Sequence, residues 1–196
     1  MNANSAQHTE GSIAELQYQI AMYEDASAYK SLFFILFPSL QNFAFSIVKS
    51  RVLAEEIASD LMLEVWERRK KLMQIEHLKL YLLVSAKNAA VHQLKQENKQ
   101  ARFSIEDLQV EFVSEYSNPD QTAELHELEN SIAAAVKALP PSCQLIYKLA
   151  KEERLRYKEI AQLLDLSVKT IDNQLAIALK KIATAIQSGR SEKNIR

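Results

Sequence analysis

The chain of 196 residues carries 24 Lys+Arg against 25 Asp+Glu, a formal charge of −1, which suits one or two domains and shows no overall basic excess. Its two glycines, Gly11 and Gly189, leave no glycine-dependent phosphate loop between them, so the dinucleotide fingerprint and the P-loop are both excluded. Tight hairpins that need Gly at positive φ are disfavoured, while Ala, Leu, Lys, Glu and Gln are abundant; an all-α fold is expected.

Residues 1–12 are small and polar and are expected to be disordered. From Ile13 the apolar positions recur at helical spacing, with Ile13, Leu16, Ile20 and Tyr23 as one stripe. Asp25 can cap a second helix through Tyr29, Leu32, Phe33 and Leu36, and Pro38 is expected to start a third, through Leu40, Phe43, Ala44 and Ile47. The aromatics Tyr29, Phe33, Phe34, Phe37 and Phe43 read as core. A further helix from Val52 to about Met73 turns Ala54, Ile57, Ala58, Leu61, Val65 and the only Trp, Trp66, inward. The next runs from about Glu76 to Gln100 and buries Leu78, Leu82, Ala86, Ala89 and Ala90. Together, residues 13–102 make one helical domain of ordinary size.

Residues 103–130 mix isolated aromatics with acids around the breaker Asn118-Pro119-Asp120, which marks 103–121 as an acidic linker. A second domain follows over 122–188, its first helix starting near Thr122. Pro140 and Pro141 separate the helices Ile132–Leu139 and Ser142–Ala150. The neutral average hides a pattern along these segments. Residues 45–102 carry net +4 and 131–196 net +6, while 1–44 carry −3 and 103–130 carry −8 with no cation at all.

Beyond Arg156, Tyr157 to Leu164 reads as a helix, Asp165-Leu166-Ser167 as a turn, and Val168 onward as a second helix with Ser167 as its N-cap. This is a helix-turn-helix. Val168, Ile171, Leu175, Leu179 and Ile182 form the expected buried stripe, with Ile160, Ala161 and Leu164 facing it from the first helix. The opposite face presents Lys169, Thr170, Asn173, Gln174, Lys180 and Lys181, which can donate to phosphates or read base edges. Asp165 replaces the glycine often found in such a turn, and Arg156 stands where a hydroxyl cap would be expected.

Two stretches carry a family resemblance. The first is AEEIASDLMLEVWE (residues 54–67) with HLKLYLLVSAKNAA (residues 77–90); the second is LPPSCQLIYKLA…RYKEIAQLLDLSVKTIDNQLAIALKKI. The first resembles the second region, and the second the fourth region, of bacterial RNA polymerase sigma factors of the extracytoplasmic-function group. The acidic linker lies where short sigma factors join their two domains, and the resemblance covers roughly residues 25–185.

That resemblance implies an all-α, two-domain initiation factor with no catalysis and no cofactor. It would bind core RNA polymerase, at the largest-subunit clamp and the flap, and would recognise the −10 and −35 elements of promoter DNA. Asp60, Leu63 and Glu64 are implied to meet the clamp. Arg69 to His77 and the helix beyond match the melting and −10 elements, with Lys70, Lys71, Ser85, Lys87, Asn88, His92, Lys95 and Lys99 toward DNA. Asn88 is the base-adjacent residue of choice. The −35 element falls to Lys169, Thr170, Asn173 and Gln174, with Ser167, Lys180 and Lys181 beside them. Two departures stand out: KQENKQAR from Lys95 replaces a denser arginine run, and Ile177 replaces a basic residue. An anti-sigma factor is a further implied partner.

The four histidines lack metal-ligand spacing, and no carboxylate pair or nucleophile–base arrangement is evident, so nothing points to an enzyme. Cys143 reads as a small buried hydrophobe. A lone cysteine fits a reducing cytoplasm, and the start MNANSAQHTEGS lacks signal-peptide layout. The best apolar run, Leu32 to Phe37, stops at Pro38, so no membrane insertion is expected. A conventional helix-turn-helix regulator, with a helical sensing or dimerising domain before it, is the alternative to an initiation factor.

Overall fold

The computed structural model describes residues 3–97 and 123–193, with side chains over 12–96 and 127–187. The chain divides into two compact units, Met1–Phe103 and Ser104–Arg196. The expected linker 103–121 and Lys99 lie outside the described residues. Among the described residues every regular element is helical.

The first unit contains α1 (Ala3–Tyr23), α2 (Ala26–Val48), α3 (Arg51–Glu67), a 3₁₀ segment (Arg69–Gln74) and α4 (Leu78–Glu97). Helix begins at Ala3, where residues 1–12 were expected to be disordered. Ile13 and Ile20 are buried and seat α1 on the unit. Asp25 caps α2: its Oδ1 accepts from the Ser27 hydroxyl at 2.7 Å and from the Ser27 and Ala28 amides at 2.7 and 3.2 Å. Those bonds, the hydroxyl's first, favour the ionised form and hold its carboxyl below the usual range.

Pro38 does not start a third helix; α2 runs through it. Proline at this position deprives the Phe34 carbonyl of its helical donor, an interior cost of about 3 kcal/mol. Leu32, Leu36 and Leu40 lie fully buried on either side, and each contributes about 1.5–3 kcal/mol by leaving water. Continuous burial therefore outweighs the local break. By length and composition α2 could cross a membrane, with a mean hydropathy of 1.6 over its best window, which the expectation from Leu32–Phe37 alone had missed. Its buried row from Ala28 to Val48 packs against α3, α4 and α1, as a core helix does.

The helix expected from Val52 to Met73 starts under the N-cap of Ser50 and stops at Glu67. Two causes act together. Arg68 to Lys71 would stack like charges on one more turn, and Gln17 takes the Leu72 and Ile75 carbonyls at 2.6 and 2.8 Å. A tighter 3₁₀ stretch results, with only Leu72 turned into the core.

The second unit contains α5 (Ala123–Lys137), α6 (Pro141–Lys151), α7 (Tyr157–Leu164) and α8 (Val168–Lys193). The short helix expected at Ile132–Leu139 is the end of the longer α5. Gln144 closes the Pro140-Pro141 turn by donating to the Lys137 and Leu139 carbonyls at 2.8 and 2.7 Å. α8 is the common partner, packing against α5, α6 and α7. Ala135, Val136, Leu139, Cys143, Ala178 and Ile182 form one buried cluster.

The buried row of α8 is Ile171, Leu175, Ala178 and Ile182, whereas Val168 and Leu179 are 44% and 42% exposed. The expected stripe is corrected at both positions by helical period. Val168 lies in the first turn, and Leu179 is one residue, about 100°, beyond Ala178.

Candidate polymerase and nucleic-acid interfaces

On α3, Asp60, Leu63 and Glu64 share one face by i, i+3, i+4 spacing. Asp60 is exposed, and Leu63 is 53% exposed, an apolar side chain left in water between two carboxylates. Glu64 is half-buried and pairs with Arg68 at 2.7 Å. Val52, 76% exposed, lies on the same helix with Glu55 and Glu56, so the face mixes apolar and acidic groups. Such a face suits a basic partner with an apolar centre.

Trp66 is half-buried, its ring 5.1 Å from that of Tyr29. The Tyr29 hydroxyl donates to the Met62 carbonyl at 2.9 Å, and burial raises its pKa. Trp66 thus belongs to the packing between α2 and α3.

Lys70 and Lys71 are both exposed on the 3₁₀ segment. Lys70 lies 3.6 Å from Glu24 and is 78% exposed, so its ammonium is open to solvent and to phosphate. Along α4, Ser85 is half-buried, and Asn88, His92 and Lys95 are exposed. His92 Nδ1 lies 3.5 Å from the Gln96 amide. Tyr81, 44% exposed, begins the same stripe at four residues before Ser85. Sequence reasoning missed it, although its spacing to Ser85 and Asn88 was the available signal, and an exposed ring can stack on a base.

Lys87 is a correction. It is 8% exposed, in the packed row of Leu83 and Ala90, and does not belong to the outward stripe. Its spacing from Leu83 and Ala90, four and three residues, sets it on the inner face.

In the second unit, α7 ends at Asp165 in the left-handed conformation, φ 55°, ψ 43°. The Leu166 amide then donates to the Ala161 carbonyl at 3.0 Å, which closes the end of the helix. At the start of α7 the Arg156 amide donates to Glu159 Oε2 at 2.7 Å, so a glutamate reaching back does what a hydroxyl cap would do. Ser167 caps α8, its Oγ accepting from the Thr170 amide at 3.0 Å, and the two hydroxyls lie 2.8 Å apart.

Lys169, Asn173, Lys180 and Lys181 stand exposed on α8. Thr170 and Gln174 are half-buried. The Gln174 carbonyl oxygen accepts from the buried Cys143 thiol at 2.7 Å, which leaves its amide N–H groups as what it can show to a groove. Burial pushes the Cys143 thiol up, so it keeps its proton. Ile177, 44% exposed beside Asn173, offers an apolar contact of the kind a thymine methyl accepts. Lys151, Arg154, Arg156 and Lys158, all exposed, gather cations at the approach to α7. Arg154 takes the left-handed conformation there, φ 58°.

Among the described residues no group of three or more His, Cys, Asp or Glu side chains could hold a metal ion.

Residues 129–182 match the family described as Sigma-70, region 4. That span covers the end of α5, the whole helix-turn-helix and the exposed row of α8. No curated protein matches the chain. Among solved structures it is similar to the sigma factor RpoE in complex with the anti-sigma factor NepR from Bartonella quintana. The identity is 16%, the TM-score 0.49, and the match covers 81% of this chain and 96% of that one. The match to Sigma-70, region 4 thus falls on the helix-turn-helix unit, from the end of α5 into α8.

Proposed function

We propose that the chain is an initiation factor of the extracytoplasmic-function group that works by dividing labour between its two units. Asp60, Leu63 and Glu64 on α3 contact core polymerase. Lys70, Lys71, Ser85, Asn88, His92 and Lys95 engage the −10 element and the displaced strand. Lys169, Thr170, Asn173 and Gln174 read the −35 element from α8, with Lys180 and Lys181 toward phosphate. Lys99 keeps the role implied by its place in the sequence.

The observation that carries the reading is the helix-turn-helix of 157–193, whose second helix exposes Lys169 and Asn173 inside the region 4 match. Major-groove readers present amides and cations in this way. The chemistry of initiation belongs to the polymerase, and the chain contributes binding free energy and position without a catalytic group of its own. The proposal places the protein in the cytoplasm with polymerase, without membrane insertion, and includes an anti-sigma factor as a regulatory partner.

Reconstitution with core RNA polymerase tests it. Formation of a holoenzyme that initiates at a defined class of promoter is expected. Tight, sequence-specific duplex binding by the chain alone, with no holoenzyme, would instead identify a conventional regulator.

A further inference from the structure

Gln17 is out of place for a core position. It lies between Ile13 and Ile20 on the inner face of α1 and is 6% exposed, where the helical stripe calls for an apolar side chain. Its Nε2 donates to the Leu72 carbonyl at 2.6 Å and to the Ile75 carbonyl at 2.8 Å, so both amide hydrogens are used on one short segment more than 50 residues away. Burying an amide costs unless its donors are satisfied, and here the carbonyls of Leu72 in the 3₁₀ segment and of Ile75 just beyond its end satisfy them.

A second hold acts at the other end of that segment. Glu24, at the α1–α2 junction, accepts from Arg69 Nη2 at 2.8 Å, while Arg69 Nη1 donates to the Trp66 carbonyl at 2.9 Å. Arg69 is 24% exposed and turned inward; its neighbour Lys70 is 78% exposed and turned outward. Both holds grip residues 69–75 through Leu72, Ile75 and Arg69, while Lys70, 3.6 Å from Glu24, and Lys71 remain exposed.

We propose that Gln17 and Glu24 are positioning residues for promoter opening: they fix the 3₁₀ segment in the form that presents Lys70 and Lys71 to the opened strand. This rests on the reading of residues 69–77 as the melting element. Opening a duplex requires unstacking free energy to be offset by contacts made at that moment. A segment already ordered meets the strand without a further ordering cost, whereas a loose one must lose that freedom during opening. The N-terminal helix thereby takes part in melting without touching DNA. The role is one of position, so it concerns the duplex-opening step and not the affinity for polymerase or for a strand already open.

The test uses holoenzyme reconstituted with the full chain, on a promoter selected from a random library by the wild-type holoenzyme. Gln17→Met keeps the side-chain length and removes both donors; Glu24→Gln, on an exposed residue, weakens the grip on Arg69 at 2.8 Å and the longer pairing with Lys70 at 3.6 Å. Permanganate reactivity of unpaired thymines reports opening. For Gln17→Met a loss of about tenfold on duplex promoter is expected, in keeping with one to two net hydrogen bonds. A smaller loss is expected for Glu24→Gln. Both variants should assemble normally with core polymerase and should recover wild-type reactivity on the same promoter carrying a pre-opened mismatch bubble.

Equal losses on duplex and bubble would overturn the proposal, since they would mark a merely structural defect. So would unchanged duplex opening in both variants. If the wild-type chain forms no holoenzyme, the reading of the melting element fails first and the proposal with it.

Discussion

The Arg69 guanidinium lies over the Trp66 indole, 4.9 Å from the ring centroid, and donates to the carbonyl of the same residue at 2.9 Å. The stack fixes the plane of the guanidinium, and that plane delivers Nη2 to Glu24 at 2.8 Å. One side chain thus joins the end of α3, the α1–α2 junction and the start of the 3₁₀ segment. A lysine could reach Glu24 as a point charge but could not stack and fork at once. Arg69→Lys is therefore expected to destabilise the first unit by about 1–2 kcal/mol. Urea unfolding followed by Trp66 fluorescence measures this, because Trp66 is the only tryptophan in the chain. An unchanged midpoint would show that the stack contributes nothing.

The same contact sets a pH dependence. The Arg69 hydrogen bond, then its charge, hold the Glu24 carboxyl below the usual carboxylate range. A carboxylate depressed on folding contributes stability that is fully present above its ordinary value. That stability is lost only as pH falls through the lowered one. Glu24 is expected to remain ionised and latched at pH values where free glutamates are protonated. Carbon-13 NMR titration of the Glu24 carboxyl checks this, and Arg69→Lys should move its midpoint upward.

Much of the fold was legible because its signals are local. Asp25, Ser50 and Ser167 occupy N-cap positions; the last was expected in that role, as was Asp25, from residue type and the apolar run behind it. The helix-turn-helix followed from Ile160, Ala161, Leu164 and Ile171 at fixed spacing. What the sequence did not disclose is non-local. Pro38 reads as a start wherever burial on both sides is unknown. The end of α3 depends on Gln17, 55 residues from the carbonyl it binds. At the candidate site, Lys87 carries the same charge as Lys95, and only the packing of Leu83 and Ala90 separates them.

That separation is measurable. Lys95 is exposed and expected to neutralise a phosphate, so Lys95→Ala should lower the salt dependence of promoter binding by about one counterion. Lys87 is buried, and Lys87→Ala should leave the salt slope unchanged while costing about 1–3 kcal/mol of stability, as large-to-small changes at packed sites do. Holoenzyme binding to promoter across a salt series, set beside urea unfolding of the free chain, distinguishes the two. A reduced slope for Lys87→Ala would return that residue to the DNA-facing row.

Leu63 gives the polymerase-binding reading its sharpest test. An apolar side chain 53% exposed contributes little to the fold, so Leu63→Ala should shift the unfolding midpoint negligibly. At the centre of an interface the same truncation typically costs about 1–2 kcal/mol, or roughly tenfold in affinity for core polymerase. Reversing Asp60 and Glu64 to Lys should act on the association rate and grow weaker with salt, because rim charges steer encounter. Stopped-flow or surface-based kinetics with core enzyme resolve both effects. Equal loss of −35 preference in these variants would break the proposed division between α3 and α8.

Asp165 offers a test within the helix-turn-helix. A non-glycine residue at φ 55° bears a cost of about 1–2 kcal/mol relative to the right-handed region, and glycine removes it. Asp165 also makes an interaction with its surroundings that glycine would lose, so the net gain from Asp165→Gly is expected to be about 1 kcal/mol or less. The Leu166 amide, which donates to Ala161 at 3.0 Å, is the local reporter. Its hydrogen exchange should slow by up to about fivefold in the variant, since protection scales with the free energy of local opening. The exposed face of α8 is untouched by the change, so promoter preference should be the same as in the wild type. Faster exchange at Leu166 would mean that the aspartate side chain holds the turn more strongly than its backbone conformation strains it.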